Sequence, residues 1–109
     1  MGMVINQFDV FLVRLDPTEG SEIRKTRPTL VISPNEMNQH LATVIIAPMT
    51  TKGQAYASRV PCKFQGKDGH VVLDQIRTVD QGRLIKRLGR ISPAPQNKVF
   101  HVIAEMFAR

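Results

Sequence analysis

The sequence predicts a mainly β fold built on a curled antiparallel sheet, and three observations point to it. β-Branched runs recur along the 109 residues, at positions 9–15, 29–33, 43–49, 58–64 and 70–74. Clusters of Gly, Pro, Asp and Ser separate them as turns. Only two helix starts are legible, Ser33-Pro34 and Ser92-Pro93, each a capping residue followed by a proline suited to the first helical position. Many short strands with two small helices argue for a sheet that closes on itself in the manner of an SH3-like barrel.

Taken in order, residues 1–8 form a short lead-in and residues 9–15 the first strand. A polar loop over 16–28 follows, punctuated by Pro17 and Gly20, and Pro28 biases Arg27 toward an extended backbone. After the strand at 29–33, Ser33 caps a brief helix to about Gln39, with Glu36 in its first turn. The run 43–49 reads as a central, fully buried strand, although Pro48 demands an edge, a bulge or a strand end. Residues 52–57 form a loop, 58–64 an edge strand, 65–69 a hairpin turn and 70–74 the next strand. A turn at 80–83 precedes a last strand near 85–91. Val99, Val102, Ile103 and Met106 then recur on one face of a C-terminal helix.

Bulk properties narrow the function. Hydrophobic residues at 42% and charged residues at 22% place the chain among globular proteins and exclude disordered and membrane classes. A single domain over residues 1–109 is expected. No apolar run approaches the ~20 residues of a membrane span, and no signal peptide is legible, so a soluble, cytoplasmic protein is expected. Fifteen Lys and Arg against nine Asp and Glu leave a net charge of +6, which favours a polyanion or an acidic partner. Cys62 is the only cysteine, so no internal disulfide forms, and its apolar surroundings suit a small core residue better than a nucleophile. His40, His70 and His101 lack metal-ligand spacing, and His70, after Gly69, reads as a solvated turn residue.

The loop over 16–28 carries the densest chemistry, with Glu22, Arg24, Lys25 and Arg27 in one short stretch. Asp16-Pro17-Thr18, Gly20-Ser21-Glu22 and Arg27-Pro28 resemble the signature loop of the MazF/PemK/Kid toxins, the sequence-specific endoribonucleases of bacterial toxin–antitoxin systems. Downstream, Ala47-Pro48-Met49-Thr50-Thr51 is similar to the end of that family's third strand, and Asp74-Gln75-Ile76-Arg77-Thr78-Val79-Asp80 to its second hallmark segment. The three motifs keep order and separation, and the resemblance spans nearly the whole chain. Three positions depart from the family pattern: Phe8 where relatives have Gly, Ile23 where they commonly have Gln, and Val72 where some have an arginine that assists the reaction.

The resemblance implies metal-independent cleavage of single-stranded RNA by 2′-hydroxyl attack, leaving a 2′,3′-cyclic phosphate and a 5′-hydroxyl, with no cofactor. Such cleavage needs a base for the 2′-hydroxyl, charge stabilisation at phosphorus and an acid for the departing 5′-oxygen. Arg27 supplies a permanently charged fork, Thr50 a hydroxyl, and Glu22 a carboxylate that acts as base or orients Arg27. These three are the candidate catalytic residues. Arg24, Lys25, Thr51, Lys52, Asp74, Gln75 and Arg77 are the candidate RNA-binding residues, and a structural salt bridge between Asp74 and Arg77 stands as the alternative for that pair. The resemblance also implies a homodimer and an acidic, MazE-like antitoxin lying in the same groove. Two other readings are a CcdB-like gyrase poison on the same barrel, disfavoured by the lack of Trp, and a non-catalytic RNA-binding module, disfavoured by an aromatic content of only 6%.

Overall fold

The computed structural model describes residues 3–109 of the chain, so the first two residues of the expected lead-in lie outside it. Seven strands form a curled antiparallel half-barrel: β1 (Asp9–Arg14), β2 (Thr26–Val31), β3 (Thr43–Thr50), β4 (Arg59–Phe64), β5 (Lys67–Val72), β6 (Arg77–Asp80) and β7 (Leu84–Arg90). Helix α1 (Asn35–His40) links β2 to β3, and α2 (Pro93–Met106) closes the chain. The strand order is β4-β5-β3-β2-β1-β7, with β6 paired to β3 alone.

The apolar runs of β1 to β3 are near-continuous because that part of the sheet is covered on both faces. Val10, Leu30 and Ala47 join one core cluster with Val71, Val99 and Val102, beneath α2. Their immediate neighbours Phe11, Val31 and Ile46 point the opposite way, into a second cluster with Val44, Val79 and Leu84. This is the two-residue alternation of a strand, with apolar partners on each side.

β3 is the pivot of the curl. It pairs with β6 over Thr43–Ile46, with β5 at Met49 and Thr50, and with β2 over Ile46–Pro48. Pro48, which the sequence places at an edge, a bulge or a strand end, sits inside β3, opposite Thr29. On its other side it falls in the gap between the β6 and β5 ladders. A residue without an N–H is tolerated where the neighbouring strand changes.

Several expected boundaries move. β2 begins at Thr26, so Arg27 and Pro28 belong to a strand, with Arg27 opposite Val13. The hairpin turn shrinks to Gln65 and Gly66, both left-handed at φ 51° and 78°. That is the two-residue geometry that fits strand twist, and it returns Lys67, Asp68 and Gly69 to β5. Asp74 lies in a 3-10 turn (Leu73–Gln75), and β6, absent from the sequence reading, follows it. Pro34 rather than Ser33 caps α1, because the Ser33 hydroxyl is engaged in the core, donating to Asn38 Oδ1 at 2.6 Å and accepting from Ile45 N at 3.1 Å. Val99 and Val102 are buried as the helical spacing predicts, and Ile103 packs beside them, but Met106 is exposed at the end of α2.

Phe8 shows how the chain accommodates its departure from glycine. Its backbone is left-handed at φ 72°, which costs a non-glycine residue roughly 1–2 kcal/mol. The ring is buried and meets Phe100 of α2 edge to face at a 4.9 Å centroid separation. Aromatic burial of this kind offsets the backbone strain. Next to it, Asp9 is buried with its carboxylate at 3.3 Å from Arg87 and 3.4 Å from Arg90, which binds β1 to β7.

Candidate active site

The polar loop ahead of β2 is held from within and from below. Asp16 Oδ1 accepts from Lys25 N at 3.1 Å, and Glu22 Oε1 accepts from Glu19 N at 2.7 Å. Arg83 Nη1 donates to the Asp16 carbonyl at 2.6 Å. From the second hallmark, Gln75 Oε1 accepts from Ile23 N at 2.8 Å and Arg77 Nη1 donates to the Leu15 carbonyl at 3.1 Å. The two motifs, some fifty residues apart in sequence, are therefore one bonded unit. Gln75 and Arg77 brace the loop with part of their polar capacity. Arg24 Nη2 is turned onto the Gly20 carbonyl at 2.9 Å, and Lys25, left-handed at φ 72°, is exposed.

Arg27 and Thr50 meet at one cavity of about 280 Å³. Arg27 comes from β2, its Nε fixed by the Arg24 carbonyl at 3.1 Å. Thr50 ends β3, and its Oγ1 accepts from Lys52 N at 3.1 Å, which orients the hydroxyl where the strand gives out. Thr51, Lys67 and His70 also line this cavity. Neither Lys67 nor His70 is among the residues the sequence singles out for this cavity. The signal was the Gln65-Gly66 pair, since a two-residue turn there extends β5 back to Lys67 and leaves His70 inside the strand rather than at its solvated start. Lys52 lies just outside, exposed in the loop that follows β3.

Glu22 stands elsewhere. With Asp74, Gln75 and Arg77 it lines a second cavity of about 210 Å³. The two cavities share no lining residue, although they border consecutive residues of β3, Pro48 on one and Met49 on the other.

Asp74 does not pair with Arg77. Its Oδ1 accepts from Ser58 Oγ at 3.0 Å and from Arg59 Nε at 3.2 Å, and its Oδ2 accepts from Arg59 Nη2 at 3.3 Å. Arg59 in turn lies 4.9 Å from the centre of the exposed Tyr56 ring. The register explains the choice: Arg59 stands opposite Val72, two residues before Asp74, while Arg77 has already entered β6 and faces Leu15. Burial works to raise the Asp74 carboxyl. Hydrogen bonds from Arg59 and Ser58 and from its own backbone, with the Arg59 charge, outweigh it and hold the group below the usual carboxylate range.

A carboxyl lowered on folding stabilises above its unfolded value and loses that contribution as pH falls through its folded value. The clamp should therefore be fully present above about pH 4 and fade in stronger acid. Urea denaturation of the wild type and of Asp74→Asn should show the variant less stable at pH 7 and the two converging as pH falls through the lowered value of the carboxyl. Parallel curves throughout would mean that the clamp adds nothing to stability.

Cys62 is 5% exposed in the core, and burial pushes its thiol up, away from the thiolate a nucleophile needs. Among the described residues no three His, Cys, Asp or Glu side chains gather as a metal site, and no helix is long and apolar enough to cross a membrane.

A curled antiparallel sheet with two helices is the fold of a known class of small toxins. MazF from Deinococcus radiodurans superposes with a TM-score of 0.84 at 23% identity, over 95% of this chain and 96% of that one. A mycobacterial endoribonuclease in complex with its cognate antitoxin superposes at 0.78 with 25% identity, over 93% and 92%. The Endoribonuclease MazF of Staphylococcus saprophyticus is 32% identical over 103 residues, 87% of this chain and 84% of the relative. Residues 6–107 match the family described as PemK-like, MazF-like toxins of type II toxin–antitoxin systems, and the chain belongs to that family.

Proposed function

We propose that the protein is a toxin endoribonuclease that cleaves single-stranded RNA at a short sequence without a metal. The 2′-hydroxyl attacks the adjacent phosphorus, and the products carry a 2′,3′-cyclic phosphate and a 5′-hydroxyl. The observation that carries this reading is the convergence of Arg27 and Thr50 on one cavity from two strands. The guanidinium grips the phosphate oxygens and the hydroxyl donates to the same group, so charge that develops at phosphorus meets fixed donors. The scissile phosphate occupies the Arg27 cavity, and the neighbouring nucleotide lies in the cavity of Glu22, Asp74, Gln75 and Arg77. Arg24, Lys25, Thr51 and Lys52 border the path of the backbone, where a net charge of +6 draws the strand in.

The partners follow the same chemistry. Two copies pair as a homodimer, which covers exposed apolar side chains such as Ile85, Phe100 and Phe107 and joins two basic grooves. An acidic, MazE-like antitoxin segment competes with RNA for the groove. The antitoxin complex of the mycobacterial neighbour supports an antitoxin as partner, and the basic charge of the chain suits an acidic one. The protein acts as a single cytoplasmic domain.

The test is incubation of the purified protein with RNA in EDTA. Cleavage should persist, and polynucleotide kinase should label the new 5′ ends without prior phosphatase. Loss of cleavage on chelation, or 5′-phosphate ends, would contradict the mechanism.

A further inference from the structure

We propose that His70 is the general acid of the reaction, giving the departing 5′-oxygen its proton; the inference rests on the nuclease reading above. His70 in β5 stands directly opposite Thr50 in β3. Opposed residues of an antiparallel pair share a sheet face, with Cβ atoms about 4.5–5.5 Å apart. Both line the cavity that Arg27 enters from β2, so the imidazole stands beside the two groups that grip the phosphate.

The chemistry asks for such a group. The 2′-oxygen forms a bond to phosphorus, the bond from phosphorus to the 5′-oxygen breaks with its electron pair on oxygen, and an unprotonated alkoxide leaves poorly. A guanidinium keeps its proton permanently, whereas imidazole is the side-chain type that exchanges one near neutral pH. Glu22, the carboxylate of the signature loop, lines the second cavity and is occupied by Glu19 N. The other histidines are placed elsewhere, His40 Nδ1 at 2.8 Å from the Glu36 carbonyl and His101 Nε2 at 2.7 Å from Glu105.

Charged groups surround His70 from each packed element. Arg27 on β2 and Lys67 on β5 share its cavity, and Asp68 precedes it by two residues on β5. On β4, Arg59 and Lys63 flank Pro61, the residue opposite. In the balanced step, the protonated imidazole gives its proton to the 5′-oxygen as that bond breaks, the 2′-hydroxyl proton passes to solvent water, and the neutral imidazole regains a proton from water. Nothing is oxidised or reduced.

A bridging-sulfur substrate tests this directly. An oligoribonucleotide is made in two forms, with the natural 5′-oxygen or with sulfur at the linkage the wild type cuts; a thiolate departs without a proton. His70→Ala should lose about 10²-fold or more on the oxygen substrate and little on the sulfur one. His70→Gln, which keeps size and polarity, should behave alike. Because one preparation acts on both substrates, the ratio is independent of the folded fraction. Equal loss on both substrates would overturn the assignment of His70 and leave the nuclease reading standing. Failure of the wild type to cut the natural RNA would overturn the nuclease reading and this proposal together.

Discussion

Arg27→Ala should lower RNA cleavage by about 10²–10³-fold, the scale for removing one fixed donor from a developing oxyanion. The fold should survive. Arg27 lies near the start of β2, is only partly buried, and makes one side-chain hydrogen bond, from Nε to the Arg24 carbonyl. Losing it costs roughly 0.5–1.5 kcal/mol, small beside the stability of a domain. Single-turnover rates with thermal melting separate the two effects. Arg27→Lys is the informative companion, because it keeps the charge but loses the planar fork and should recover only a small part of the rate. A near-normal rate in Arg27→Ala would remove the guanidinium from the mechanism.

Gly69→Ala should damage both stability and cleavage, for a different reason. A Cβ at Gly69 would come within 2.5 Å of the Thr50 carbonyl oxygen and 3.2 Å of its carbon, and both are backbone atoms that cannot rotate aside. β5 must move off β3 where Thr50 and His70 face each other. Overpacking of this kind costs typically 1–3 kcal/mol. A displacement of about 1 Å in a positioned group can lower a rate by 10²-fold, so the variant should fall well below wild type even where it is fully folded. Gly66→Ala is the control: its Cβ meets nothing within 4 Å, and only the left-handed backbone at φ 78° resists it. Circular-dichroism melting and cleavage rates of both variants check this. A Gly69→Ala protein with wild-type rate would mean that close contact between β3 and β5 does not position the site.

The β-branched runs, the cap-and-proline start of the C-terminal helix, the basic balance and the three motifs that place the chain in its family are all legible in the order of the amino acids. The strand and helix signals are local, carried by residues within one strand or one turn of each other, and the charge balance and motif order are properties of the linear chain that need no folding to be read. Tertiary structure decided what depends on strands distant in sequence. β6 is too short to announce itself and exists because β3 offers it a free edge over Thr43–Ile46. The partner of Asp74 is set by β4–β5 register, which delivers Arg59 and leaves Arg77 to the Leu15 carbonyl. Glu22 and Arg27 share one loop in sequence yet line different cavities, because the loop is drawn onto Gln75 while Arg27 has already joined β2. His70 changed most, from a solvated residue at the start of a strand to the neighbour of Thr50. A shift of one residue between β3 and β5 would send its side chain to the opposite face, and that register is held by Val71, the next residue along, which packs into the core on the other face, a property of the assembled core.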